Sequence, residues 1–335
     1  MATKPKVLLL GKIEHAHESW KSLSNLADLV SSQAQGRAEF LEECKAGRWD
    51  GVKAIYRTFD SMEITGRFDS ELVPLLPGSV EFVCHNGAGY DQVDVNACSD
   101  RKIKVSHTPG TVNDCTADVN MFLILGALRG FNPGMLSIRE GNWRGHPLPP
   151  LGHDPEGKTL GIVGMGGIGR NLKKKCDAFS MKIIYHNRKR LSEELAGGAA
   201  YVSFEELLRT SDVISLNLPL NKDTRHKIST REFEMMKKGV VIVNTARGAI
   251  IDEAALVKAL DSDQVASVGL DVYEDEPKIH PGLMSNPRVI LVPHMGTWTA
   301  ETQCAMEECN ISNVRSAVQD GVLLNLVPEQ VDLEK

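Results

Sequence analysis

Four stretches of this sequence hold residue types that can do chemistry together. Asn244-Thr245-Ala246-Arg247-Gly248 offers a guanidinium, Asp271-Val272-Tyr273-Glu274-Asp275-Glu276-Pro277 offers carboxylates, and Pro293-His294-Met295-Gly296 offers an imidazole. Upstream of all three lies Gly164-Met165-Gly166-Gly167-Ile168-Gly169, a spacing that suits a phosphate group. The fork of N–H donors on Arg247 matches a carboxylate or an oxygen gaining negative charge. His294 can pass a proton when a carboxylate on its other nitrogen fixes the tautomer and favours the imidazolium, and Glu276 is the candidate partner. Each residue is commonplace alone, since surface Arg and Glu abound and a His before Gly suits a turn. At the ends of successive strands of one nucleotide-binding sheet they describe a polarising and proton-donating apparatus.

The elements that must position them alternate between short β-rich runs and amphipathic helical stretches, which predicts parallel sheets. A first series of strands is expected at Lys6-Gly11, Gly51-Arg57, Val80-His85 and Lys104-His107. A second is expected at Thr159-Gly164, Lys182-His186, Val213-Leu218, Val240-Asn244, Val265-Asp271 and Val289-Pro293. Two series predict two doubly wound units, with ligands outside the carboxyl ends of the strands. Between them, Val119-Arg129 reads as an apolar helix. Gly130-Gly157, with its run His146-Pro147-Leu148-Pro149-Pro150-Leu151-Gly152, reads as an irregular arm reaching over a partner subunit, or as a plain surface excursion. A final helix, Thr299-Val318, is long enough to return and pack on the first unit.

The glycine stretch follows the buried-strand pattern Thr159-Val163 and precedes a helix, the context a dinucleotide site requires. Gly164 permits the tight turn, Gly166 lets the backbone approach a pyrophosphate, and Gly169 lets helix and strand pack closely. Gly167 and Ile168 begin the helix, whose N-terminus offers unpaired N–H groups and partial positive charge. At the end of the next strand an acid would bind the ribose 2′-hydroxyl of NAD. This chain instead has Asn187-Arg188-Lys189-Arg190, which predicts a preference for the 2′-phosphate of NADPH, with NADH also possible. Arg188 is the first candidate for that contact. Lys173-Lys174-Lys175, behind the loop, reads as a solvated face.

A length of 335 residues favours two domains, and 42% apolar with 24% charged residues is ordinary for a globular protein. A net charge of −6 without a basic stripe argues against a nucleic-acid partner. Seven cysteines lack a C-x-x-C pair, which predicts reduced thiols, a cytoplasmic location and no metal site. The polar start Met1-Lys6, the short apolar run Val7-Leu10 and the end Val331-Lys335 show no signal peptide, membrane span or retention address.

Taken in order, the glycine loop, Asn244-Thr245-Ala246-Arg247-Gly248, Gly269-Leu270-Asp271-Val272 with Glu276-Pro277, and Pro293-His294-x-Gly296 resemble the D-isomer-specific 2-hydroxyacid dehydrogenase family over nearly the whole chain. Within it the likeness is greatest to glyoxylate/hydroxypyruvate reductases of the fungal type. The resemblance implies an α/β fold of two doubly wound parallel-sheet domains, a Rossmann-type dinucleotide domain (111–298) inserted in a flavodoxin-like substrate domain (1–110 and 299–335). It implies that Arg247 binds the substrate carboxylate and carbonyl, that Glu276 pairs with His294, and that His294 is the proton donor or acceptor. Asp271 matches the position that orients the nicotinamide carboxamide. Thr116, Pro219, Thr224, Thr245, Ala246 and Gly296 are further candidate cofactor contacts. The backbone amides of Asn86, Gly87, Ala88 and Gly89, in the stretch running to Asp91, would hold the substrate carboxylate. One departure is Ala117-Asp118, where many members have alanine and glutamate; it is read as a hinge or helix-start feature.

The expected reaction is reversible hydride transfer between NADPH and a short 2-oxo acid, glyoxylate or hydroxypyruvate first, giving the D-2-hydroxy acid. Arg57, Phe59 and Trp298 are candidate pocket walls, able to confine the site to small acids or to stack on an aryl 2-oxo acid of the mandelate type. A formate-oxidising relative and a non-catalytic nucleotide sensor are the other classes. The family resemblance and the arm both suggest a homodimer.

Overall fold

A computed structural model describes residues 4–331. Met1-Ala2-Thr3 and Asp332-Leu333-Glu334-Lys335, on which part of the targeting reading fell, lie outside the described residues. The chain divides into two compact units, one running to Val112 and resuming at Thr299, the other spanning Asn113–Trp298.

The first unit is a five-stranded parallel sheet of β1 (Lys6–Leu10), β2 (Asp28–Ser31), β3 (Val52–Thr58), β4 (Phe82–Asn86) and β5 (Lys104–Ser106), in the order β2-β1-β3-β4-β5. β3 and β4 are almost wholly buried, as strands covered by helices on both faces must be. The closing helix Ala300–Gln319 packs on one face, where Ile311, Val314 and Ala317 meet Val7, Tyr56 and Phe82. Its Glu307 carboxylate accepts the N–H groups of Glu14, His15 and Ala16 at 2.7–2.9 Å, which ties the loop after β1 to that helix.

The second unit is a seven-stranded sheet of β6 (Thr159–Val163), β7 (Lys182–His186), β8 (Ala200–Tyr201), β9 (Val213–Leu216), β10 (Val240–Asn244), β11 (Val265–Leu270) and β12 (Val289–Leu291). Its order is β12-β11-β10-β9-β6-β7-β8, all parallel, so the chain switches direction across the sheet between β6 and β9. That is the doubly wound dinucleotide-binding arrangement, with its ligand crevice at the switch point. The helix Asn113–Arg129 seats Ala117, Leu123, Ile124 and Ala127 against Ile162, Val213 and Val243.

β2 and β8 were missed by the pattern reading because both are short edge strands with no fully buried residue. The predicted arm also needs correction: its first part is a helix, Phe131–Arg139, entered through a left-handed Gly130. Lys175 is not merely solvated. It pairs with Asp114 at 3.0 Å and Asp118 at 2.7 Å, so Asp118 joins the helix Asn113–Arg129 to the helix Gly167–Asp177.

Candidate active site

β6 ends in a turn at Gly164, whose φ of +94° is open to glycine at little strain. The Gly164 N–H donates to the His186 carbonyl at 3.0 Å, fixing the loop to the end of β7. The helix Gly167–Asp177 starts immediately, with Gly166 as an N-cap that has no side chain to satisfy the first N–H groups. A Cβ built on Gly166 would meet nothing within 4 Å, so open space adjoins the N-cap, whereas one on Gly167 would come within 2.4 Å of the Asn113 side chain. Gly167, Ile168 and Gly169 form the first turn. A helix N-terminus whose glycine N-cap offers no side-chain acceptor and adjoins open space fits a pyrophosphate. Asn187 accepts the Met165 N–H on its Oδ1 at 2.7 Å, so its side chain braces the glycine loop from the end of β7. Arg188, Lys189 and Arg190 follow it, all exposed.

The remaining cofactor candidates lie in the loops after β9, β10 and β12 of the same unit and, for Thr116, on the helix Asn113–Arg129. Thr224 donates to the Pro219 carbonyl at 2.7 Å in the loop after β9. Thr116 donates to the Gly296 carbonyl at 3.2 Å. Thr245 accepts from Asn120 Nδ2 at 2.8 Å, and Ala246 donates its N–H to Asn244 Oδ1 at 3.0 Å. Asn120 was not foreseen. Fully buried on the helix Asn113–Arg129, it also donates to Asn217 and accepts from Ser215, joining the ends of β9 and β10. An amide inside the apolar run Val119-Arg129 was the signal that could have revealed it, because a buried amide needs partners.

Arg247 follows β10 by three residues. The buried Asn244 holds that turn from both sides, donating to the Arg247 carbonyl at 2.8 Å while accepting from Ala246. Arg247 donates through Nη1 to the Ala246 carbonyl at 2.8 Å. Gly248 is fixed by close approach: a Cβ there would lie 1.8 Å from the Tyr273 carbonyl carbon, so the loops after β10 and β11 touch backbone to backbone.

His294 Nδ1 donates to Glu276 Oε2 at 2.8 Å, and Glu276 Oε1 accepts the Tyr273 N–H at 2.9 Å. Both carboxylate oxygens are thus engaged, and the carboxylate fixes a proton on Nδ1 of the imidazole. Burial raises the Glu276 pKa, but the hydrogen bond and charge of His294, the Tyr273 N–H and the charge of Arg247 together hold it below the usual range. His294 itself has a left-handed backbone, φ +52°, a conformation uncommon outside glycine. Asp271 braces this turn. Its carbonyl accepts the His294 N–H at 2.9 Å and its carboxylate accepts the Met295 and Gly296 N–H groups at 2.5 and 2.9 Å. Burial pushes the Asp271 carboxyl up to about 6, against the lowering pull of those N–H groups and of His294.

In the first unit, Asn86 ends β4, and Gly87, Ala88 and Gly89 form the partly exposed loop beyond it. Arg57 is a correction. It was expected to line a pocket, but it is 0% exposed, with its guanidinium bonded to His85 Nδ1 at 3.1 Å and Gln92 Oε1 at 2.8 Å and lying over the Phe68 ring. A side chain so enclosed cannot touch a substrate. Burial pushes its pKa down to about 10. Trp298, in the second unit, is 70% exposed, and Phe59 lies at the surface of the first.

The family model for the NAD binding domain of D-isomer specific 2-hydroxyacid dehydrogenases matches residues 121–296, which contain the glycine loop, Arg247, Asp271, Glu276 and His294. The chain is 54% identical over 326 residues to 4-methyl-2-oxopentanoate reductase A of Aspergillus oryzae, covering 97% of this chain and 98% of that one. It is 46% identical to glyoxylate reductase 1 of Saccharomyces cerevisiae, over 98% of this chain and 96% of the relative. A crystal structure of a glyoxylate reductase from Paecilomyes thermophila superposes with a TM-score of 0.95 at 56% identity, covering 98% and 99% of the two chains. Among the described residues no single helix is long and apolar enough to cross a membrane. With the site geometry, these likenesses place the chain in the D-isomer specific 2-hydroxyacid dehydrogenase family.

Proposed function

We propose that this protein reduces a short 2-oxo acid to its D-2-hydroxy acid with NADPH in preference to NADH. The observation that carries the reading is the Glu276–His294 pair at 2.8 Å, beside Arg247 in the dinucleotide-binding unit. The glycine loop, Asn187 and the first turn of the helix after β6 would hold the dinucleotide, with Thr116, Pro219, Thr224, Thr245, Ala246 and Gly296 at its edges. When bound, that cofactor supplies the hydride that reaches C2 of the acid. Arg247 polarises the carbonyl, drawing negative charge onto its oxygen. His294 passes its Nε2 proton to that oxygen, and the Glu276 carboxylate stabilises the imidazolium beforehand and keeps Nδ1 protonated afterwards. Asp271 holds the turn that aims the ring. In the first unit, the N–H groups of the loop after Asn86 are the donors proposed for the substrate carboxylate.

Three exposed cations after β7, and no acid there, support NADPH. Phe131, Leu136 and Ile138 on the helix Phe131–Arg139 are exposed, as are Trp143, Leu148 and Leu151 beyond it, which supports a homodimer through the second unit. Glyoxylate and hydroxypyruvate are the first substrates to consider. The 54% identical relative is a 4-methyl-2-oxopentanoate reductase, which favours a branched aliphatic 2-oxo acid as the second reading. Two variants test the machinery. Arg247→Ala lowers turnover by about 10²–10³, the usual effect of removing an oriented donor to developing charge. His294→Asn abolishes proton delivery while cofactor binding persists. Near-parental rates in either variant would remove that residue from the mechanism.

A further inference from the structure

Three successive carbonyls of the loop after β4 are held by hydrogen bonds. The Gly87 carbonyl accepts the Thr108 N–H at 3.0 Å. The Ala88 carbonyl accepts from His107 Nδ1 at 2.9 Å, and the Gly89 carbonyl accepts from His85 Nε2 at 2.9 Å. These peptide bonds are trans, so each carbonyl points away from the N–H that follows it. Each held carbonyl therefore fixes the N–H that follows it, on Ala88, Gly89 and Tyr90, away from its own partner. Among the described residues those three donors have no hydrogen-bond partner. Successive unpaired N–H groups of this kind make a concavity for an anion.

The two histidines act as donors because of what faces them. A carbonyl only accepts, so His107 carries its proton on Nδ1. For His85, Arg57 Nη1 donates to Nδ1 at 3.1 Å, which leaves the proton on Nε2, aimed at Gly89. Arg57 is fixed in turn by Gln92 Oε1 at 2.8 Å and by the face of Phe68. His107 sits edge-on to Tyr90, ring centres 5.1 Å apart, and the Tyr90 hydroxyl donates to Glu329. Gly87 leaves room for the arrangement, since a Cβ there would come within 2.6 Å of His85 Nε2.

We infer that His107 and His85 are positioning residues that aim the Ala88, Gly89 and Tyr90 N–H groups at the substrate carboxylate, with the buried Arg57 setting the tautomer of His85. The inference rests on the proposed role of this loop as the carboxylate site. A buried guanidinium serving a neutral histidine is otherwise an expensive way to close a surface loop, because desolvating a cation is unfavourable.

The test compares His107→Leu, which deletes the donor, with His107→Asn, whose amide Nδ2 falls near the lost Nδ1. Glyoxylate KM and kcat are read beside inhibition by oxamate, a carboxylate probe that is not reduced, and beside NADPH binding by fluorescence. His107→Leu should raise the glyoxylate KM and the oxamate Ki together by about tenfold, the effect of one misaimed donor to a carboxylate, with kcat and NADPH affinity little changed. His107→Asn should recover most of the loss. Unchanged KM and Ki in His107→Leu, or equal loss in both variants together with weakened NADPH binding, would overturn the inference. If His107→Leu does not fold, His107→Gln against His107→Asn makes the same comparison, because the longer amide displaces the donor. Ala88→Pro separates this inference from the reading beneath it by deleting one of the N–H groups. A parental oxamate Ki in folded, NADPH-binding Ala88→Pro overturns the carboxylate-loop reading; weakened oxamate there with a parental Ki in His107→Leu overturns only the positioning role.

Discussion

Glu276→Gln removes one charge from the centre of the proposed proton relay while keeping the length and shape of the side chain. In the parent, Oε1 accepts the Tyr273 N–H at 2.9 Å and Oε2 accepts from His294 Nδ1 at 2.8 Å. The amide oxygen of the variant can keep the first bond, but then its NH2 group faces Nδ1. Nδ1 must become an acceptor, the ring holds its single proton on Nε2, and giving that proton away would leave an imidazolate. The charge-assisted bond that favours the imidazolium is also lost. Such a bond is worth about 1.5–3 kcal/mol, which converts to a fall in kcat of about 10- to 150-fold, with the tautomer effect pushing toward the upper end. Because Glu276 touches neither the glycine loop nor the cations after β7, NADPH affinity should stay within about twofold of the parent value and the loss should appear in kcat rather than KM. Initial rates of NADPH oxidation, followed by absorbance at saturating 2-oxo acid, give kcat directly, and fluorescence titration gives the cofactor affinity. A variant with kcat within twofold of the parent would refute the relay, whatever its stability.

Asp271→Asn tests the turn that carries His294, because an amide can accept only one of the Met295 and Gly296 N–H groups and opposes the other with its own NH2. Its pH signature has a definite sign. The folded pKa is pushed up to about 6 from 3.8, so the stability linked to this group is fully present below pH 3.8 and is lost as pH rises through about 6. Denaturant unfolding of parent and variant across that interval should show the parent losing stability relative to Asp271→Asn; parallel curves would contradict the assignment. Arg188→Ala should raise the NADPH KM about five- to tenfold and leave NADH untouched, a modest effect because the side chain is exposed. Equal changes for the two cofactors would assign the cation to general electrostatics.

The parts of this molecule that could be read from sequence are those where one residue type is needed for a stated physical reason. Continuous apolar runs marked the buried parallel strands, and Gly164 marked the turn before the helix. Arg247, Glu276 and His294 were singled out together as a cation, an acid and an imidazole, and the expected pairing of Glu276 with His294 is present at 2.8 Å. What escaped was set by tertiary partners. β2 and β8 carry too few buried side chains to leave a period. Arg57, at the end of a strand, has the same local signature as Arg247, and only the packing of His85, Gln92 and Phe68 around it shows that it faces inward. Asn120 follows the same logic: the sequence shows a polar residue in an apolar setting, while the network that satisfies it joins elements far apart in the chain.

The central claim, NADPH-linked reduction of a short 2-oxo acid, is tested most directly by initial rates of NADPH and NADH oxidation with glyoxylate, hydroxypyruvate and 4-methyl-2-oxopentanoate. The account predicts turnover with at least one of these acids, faster with NADPH than with NADH, and a D-2-hydroxy acid wherever the product is chiral. Folded protein that binds NADPH and turns over none of the three would contradict it.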